Sequence, residues 1–149
     1  MDFEGLEVFD RPRSDIWNAL TDMDLMAAVI PHLQAVEETT SSSLSSRVQP
    51  GLSFLAGSIK LHFSVTEVQP DEQLRVDVEG KQMGGGLTLA IDIALSQTPV
   101  GTELKWQGDV VRREGLLRPI SQGLLRGAAT RIIGQLWGNF HTALAATTT

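Results

Sequence analysis

Four stretches of the chain alternate apolar and polar side chains with a period of two, the mark of a half-buried strand. Ile59, Leu61, Phe63 and Val65 alternate with Lys60, His62, Ser64 and Thr66, and Leu74, Val76 and Val78 with Arg75, Asp77 and Glu79. Leu87, Leu89, Ile91, Ile93 and Leu95 alternate with Thr88, Ala90, Asp92 and Ala94. Leu104, Trp106 and Val110 alternate with Glu103, Lys105 and Asp109. Three further segments are strand-compatible. Asp2–Phe9 carries Phe3 and Phe9 on one side and Leu6 and Val8 on the other, so periodicity orients neither it nor Glu7. Residues 33–38 form a short strand pattern and 39–43 a polar turn. Residues 44–55 are broken at Pro50-Gly51, where a bulge or edge position is expected. Pro70-Asp71, residues 84–86 and residues 99–101 supply hairpin turn chemistry.

Elsewhere the period lengthens to that of a helix. Pro12 and Ser14 signal a start, with Ser14 as N-cap and Asp15 near the positive end, and Ile16, Trp17 and Leu20 follow at helical spacing. Asp22 caps a second short helix bearing Leu25, Met26, Val29 and Ile30, which Pro31 stops. Residues 117–145 form one long pattern. In it Leu125, Ala128, Ala129, Ile132, Ile133, Leu136, Phe140 and Leu144 share a broad apolar stripe, with Pro119 in the first turn. Residues 147–149 are expected to fray, which leaves one domain over residues 1–146.

This order predicts an α+β fold. A seven-stranded antiparallel sheet with one wet face must bury the other, and the long helix is the one large element able to cover it. A twisted sheet curling around such a helix tends to leave a space between them.

Composition narrows the classes. A length of 149 residues suits one domain burying roughly 68–70% of its unfolded surface, enough for a core without staples. With no cysteine, disulfides, thiolate nucleophiles and Cys-based metal sites are excluded; the composition fits a reducing cytosol, and a cytoplasmic location is expected. The acidic N-terminus lacks an apolar signal-peptide core, and no run of about 18 apolar residues occurs. A net charge of −6 argues against general nucleic-acid binding. The charge is uneven, however. Residues 110–149 set five arginines (Arg112, Arg113, Arg118, Arg126 and Arg131) against Glu114, a local +4 that leaves −10 for the first 109. Such asymmetry marks either an anionic partner or membrane surface, or a solvated helix face paired with acids elsewhere.

The order of elements resembles the helix-grip fold of the START-like (SRPBCC) superfamily. Within it, the chain is most similar to the CoxG family of carbon monoxide dehydrogenase proteins. The matching residues are Asp2-Phe3-Glu4-Gly5, Asp15 through Asp22 in the first helix, Ile30-Pro31, and Gly101 through Trp106. The Gly/Leu/Ala-rich final helix, ending in Trp137 to Leu144, completes the pattern. Two departures are visible. The family usually has Gly after Ile-Pro, where this chain has His32, and many members continue into a proline-rich linker and hydrophobic anchor, whereas this sequence stops at Thr149. The resemblance implies an accessory role beside a molybdenum hydroxylase of the carbon monoxide dehydrogenase type, and peripheral contact with the inner face of the membrane. Superfamily relatives hold apolar molecules under the long helix.

Candidate chemistry is sparse. His32, His62 and His141 lie on separate elements without metal-ligand spacing, so no metal or cofactor site is read. His62 falls on the wet face and His141 on the surface of the last helix, while His32 stands beside a prospective cavity rim. Asp92 and Asp109 take the polar register, and no nucleophile elbow occurs. Residues 84–86 precede a strand rather than a helix, which favours a hairpin over a phosphate cradle. Gly123, Gly127, Gly134 and Gly138 share an arc of about 60° on the last helix. Each costs a helix about 0.8–1.0 kcal/mol relative to Ala, so the arc asks for a partner or for close packing within the chain. Arg131 borders it.

The inward register also includes Ile59, Val65 and Leu104; the ligand wall is expected at Leu61, Phe63, Val76, Val78, Leu89, Ile91 and Trp106 of the sheet. Ile132, Ile133, Leu136 and Phe140 of the helix face them, with His32 and Gln82 at the rim. No Tyr is available to orient a ligand carbonyl. The expected function is non-enzymatic binding of a hydrophobic, lipid- or quinone-like small molecule. The alternatives are an assembly factor docking through the basic, glycine-striped helix, and a cyclase or hydrolase acting in the cavity through His32.

Overall fold

Every alternating segment becomes a strand of one sheet. In the computed structural model, which describes residues 2–51 and 57–146, the order is β1 (Asp2–Phe9), α1 (Arg13–Leu20), α2 (Met23–Val29), β2 (Leu33–Thr39), β3 (Ser43–Val48), β4 (Ile59–Gln69), β5 (Gln73–Gln82), β6 (Gly85–Thr98), β7 (Gly101–Gly115) and α3 (Gln122–Ala146). The seven strands form an antiparallel sheet in the order β1-β7-β6-β5-β4-β3-β2. The first and second strands are therefore its two edges, and α1 and α2 carry the chain between them. This is the helix-grip fold, with α3 on the inner face.

Register decides what β1 left open. Phe3, Gly5, Glu7 and Phe9 face inward, and Leu6 and Val8 outward, half exposed. Gly5 pairs with Trp106, and a Cβ at Gly5 would stand 2.5 Å from the indole ring. Gly108 likewise leaves room for the ring of Phe3. Two inward glycines thus let two large rings lie flat on neighbouring strands, with Phe3 and Trp106 edge to face at 6.0 Å.

Three expectations at the ends of elements are corrected. The first helix starts at Arg13 behind an extended Pro12, so Ser14 lies inside its first turn and caps nothing. Asp22, by contrast, accepts the backbone N–H groups of Asp24 and Leu25 as expected, and the second helix stops before Pro31. The last helix begins at Gln122, not near Leu117. Gly115, in left-handed backbone at φ 59°, ends β7, and turn bonds from Leu117 to Glu114 and from Ile120 to Leu117 hold the intervening segment. Ser121 rather than Pro119 serves that helix start, its Oγ accepting the N–H of Leu124. The part of the 44–55 pattern beyond Gly51, and the tail at 147–149, lie outside the described residues.

The covered face has two unlike halves. Beneath the C-terminal half of α3, the rings of Phe3, Phe9, Trp17, Trp106, Trp137 and Phe140 join Leu104 and Leu144 in a solid core. That half is also tied down by polar contacts. Asn139 donates to the carbonyl of Val29 at 3.0 Å, Arg11 donates to that of Leu144 at 2.7 Å, and His141 meets Glu7 at 3.0 Å. Beneath the N-terminal half the side chains are smaller, and the interior is hollow.

Candidate functional site

The hollow is a cavity of about 160 Å³ between α3 and the inward faces of β3, β4, β5 and β6. Its floor is Leu61 and Phe63 of β4, Val78 and Gly80 of β5, and Leu87, Leu89 and Ile91 of β6. Its roof is Leu125, Ala128, Ala129, Ile132, Ile133 and Leu136 of α3. Gly80 contributes no side chain where its neighbours on the sheet contribute Leu61 and Leu87, and Ala128 and Ala129 contribute one methyl each; those short positions are what leave the space. The cavity's far end reaches Pro31, His32, Val48, Pro50, Gln82 and Leu117, where the α2–β2 link, the end of β3, the β5–β6 hairpin and the segment before α3 converge.

Of the expected wall, Leu61, Phe63, Val78, Leu89, Ile91, Ile132, Ile133 and Leu136 line this cavity, and His32 and Gln82 sit at its rim as anticipated. Three residues are placed elsewhere. Trp106 and Phe140 face inward but lie in the solid core, because α3 is pressed against the sheet by the aromatic cluster at that end. Val76 borders a separate void of about 40 Å³ shared with Phe63 and Leu136. Sequence reasoning missed Gly80, Leu87, Leu117 and Pro50. The signal for Gly80 was present: it occupies an inward position of an otherwise alternating strand.

The polar residues sort by face. His32 is exposed at the mouth, at φ 59°, with its ring Nε2 3.1 Å from Oε1 of Gln135 on α3. His62 lies on the outer face, bonded through Nδ1 to Ser45 Oγ at 2.6 Å. His141 is not simply a surface residue. It bridges helix and sheet, stacked on Phe9 at 4.4 Å and bonded to Glu7. The outer face of the sheet carries a charged, open depression in which Arg75 pairs with Asp77 at 3.1 Å and Glu67 at 3.7 Å. The Arg75 guanidinium is held above its ordinary range by that hydrogen bond and by the charge of Asp77. Among the described residues no group of three or more His, Asp or Glu side chains is disposed to hold a metal ion, and no helix is long and apolar enough to cross a membrane.

The glycine arc packs on nothing within the described residues. A Cβ placed at Gly123, Gly127, Gly134 or Gly138 would meet no heavy atom within 4 Å. Close packing against the protein's own sheet or short helices is therefore ruled out as the reason for these residues.

A helix gripped by a curled sheet over an apolar cavity defines the START-like class of folds. The sequence matches the model of the CoxG family of carbon monoxide dehydrogenase over residues 5–145, and the chain belongs to that family. Among solved structures, a conserved protein from Geobacillus kaustophilus superposes with a TM-score of 0.86 at 18% identity, covering 99% of this chain and 97% of that one. A protein from Mesorhizobium loti gives 0.67 at 18% identity with 100% of both chains covered. Ara h 8.0201 gives 0.68 at 13% identity, covering 97% and 98%. At these identities the likeness is one of fold. Among curated proteins, none matches closely enough to count as a relative.

Proposed function

We propose that the protein binds a hydrophobic small molecule, lipid- or quinone-like, in the cavity beneath α3, and does so as an accessory factor to a molybdenum hydroxylase of the carbon monoxide dehydrogenase type. The observation that carries the first part is the lining, in which, among the described residues, His32 and Gln82 are the only side chains with polar groups. Such a surface recognises apolar shape and fixes a ligand through few polar contacts. The described lining contains no carboxylate, so an acid–base pair has no second member there. Membership of the CoxG family supports the second part.

Volume limits what enters. A cavity of about 150 Å³ holds a benzene-sized ring, so a ring or a short chain segment fits under α3 as it stands. A longer molecule keeps its remainder outside the mouth or displaces the N-terminal half of the helix. The test is native mass spectrometry of gently purified protein with organic extraction of what is released. A discrete added mass, lost on denaturation, supports the reading; protein that carries no apolar molecule and binds no hydrophobic probe contradicts it.

A second reading, an assembly factor docking through α3, is favoured by the open space over the four glycines. Arg118, Arg126 and Arg131 form no ion pair among the described residues, so the same face offers charge to an anionic partner, or to the inner membrane surface from a cytoplasmic location. Replacing Gly127 and Gly134 together by Leu should abolish capture of the hydroxylase complex while leaving ligand uptake intact. Capture that survives the double change contradicts this reading.

A further inference from the structure

We propose that His32 is the specificity-determining residue of the cavity, selecting ligands whose apolar body ends in an uncharged oxygen, a hydroxyl or a carbonyl, held at the mouth. The inference rests on the cavity-binding reading above and deepens it. Three observations meet at this residue.

The first is conformational. His32 adopts φ 59°, a left-handed backbone that glycine takes freely and other L-residues take at a cost. The position is fixed by its neighbours: Pro31 restricts the preceding residue, and the carbonyl of His32 accepts the N–H of Gln49 at 3.1 Å. A side chain retained where glycine fits better points to a use for that side chain.

The second is chemical. The imidazole lines an otherwise apolar space whose other polar side chain, among the described residues, is Gln82, also at the mouth. A ring nitrogen and a side-chain amide offer donors and acceptors without a carboxylate or an ammonium. They suit a neutral polar terminus. The third is orientation. The Nε2 bond to Gln135 at 3.1 Å holds the ring between the α2–β2 link and α3, at the mouth where a ligand's outer end emerges from under the helix. The ring is thus already positioned before a ligand arrives.

The test uses two near-isosteric probes small enough for the cavity, toluene and phenol, titrated by NMR into the full-length protein and into His32→Gly and Gln82→Leu. Glycine fits the left-handed backbone, so His32→Gly is expected to fold with an unchanged or raised Tm. The proposal predicts that His32→Gly binds toluene within twofold of the parent and phenol at least fivefold more weakly. If both probes bind His32→Gly as they bind the parent, or if the phenol loss appears in Gln82→Leu alone, the assignment to His32 is overturned and the cavity-binding reading stands. If neither probe binds the parent protein, the cavity-binding reading fails, and this inference with it.

Discussion

Glu7 of the first strand and His141 of the last helix meet across the seam between sheet and helix, with the carboxylate Oε1 3.0 Å from the ring Nε2 and the imidazole stacked on Phe9. The contact joins residues 134 positions apart and lies at the filled end of the interior, away from the cavity. Because the pair is partly exposed, its worth is that of a single hydrogen bond, about 0.5–1.5 kcal/mol. Glu7→Ala should lower unfolding stability in urea by that amount and leave ligand affinity unchanged. A change in affinity would mean that the two ends of α3 are coupled.

The exposed glycines of α3 make a prediction of opposite sign. Gly127→Ala and Gly134→Ala each place a methyl in open space, so each should stabilise the isolated protein by about 0.8–1.0 kcal/mol. The two lie seven residues apart without a shared partner, and their effects should add. Thermal unfolding of the single and double variants checks this; a loss of stability would show that the helix face is covered in solution.

Glycines on the sheet behave differently. Gly5→Ala and Gly108→Ala drive a methyl into the rings of Trp106 and Phe3, and overpacking of a solid core costs about 1–3 kcal/mol. Both variants should unfold at lower urea concentration than the parent. Parent-like midpoints would contradict the packing described for this end of the sheet.

These contrasts show what the chain revealed before its structure was known. The four alternating segments gave their strands and inward residues directly, since a period of two admits no other burial. β1 stayed ambiguous because Leu6 and Val8 are apolar yet half exposed, and only the pairing of Gly5 with Trp106 settles its face. Leu116, Leu117 and Ile120 imitate a helix start, but the positive φ of Gly115 turns the chain there first. The inward set was legible; its division into solid and hollow halves was not. That division follows from where the large rings stand: Trp17, Trp106, Trp137 and Phe140 sit at one end, while Gly80, Ala128 and Ala129 sit at the other. Periodicity sorts faces and carries no information on position along the helix.

A variant that fills the hollow separates binding from folding. Ala129→Phe replaces one roof methyl with a ring over Leu89 and Ile91, within a space large enough to receive it. It should fold with a Tm within a few degrees of the parent and lose uptake of apolar probes. Retained uptake would place the ligand elsewhere.

The most direct measurement is native mass spectrometry with organic extraction, run in parallel on the parent and on Ala129→Phe. The cavity account predicts a discrete apolar molecule that accompanies the parent, leaves on denaturation, and is absent from the variant. A parent protein that carries nothing extractable and takes up no apolar probe, or a variant that carries the same molecule in the same amount, would contradict it.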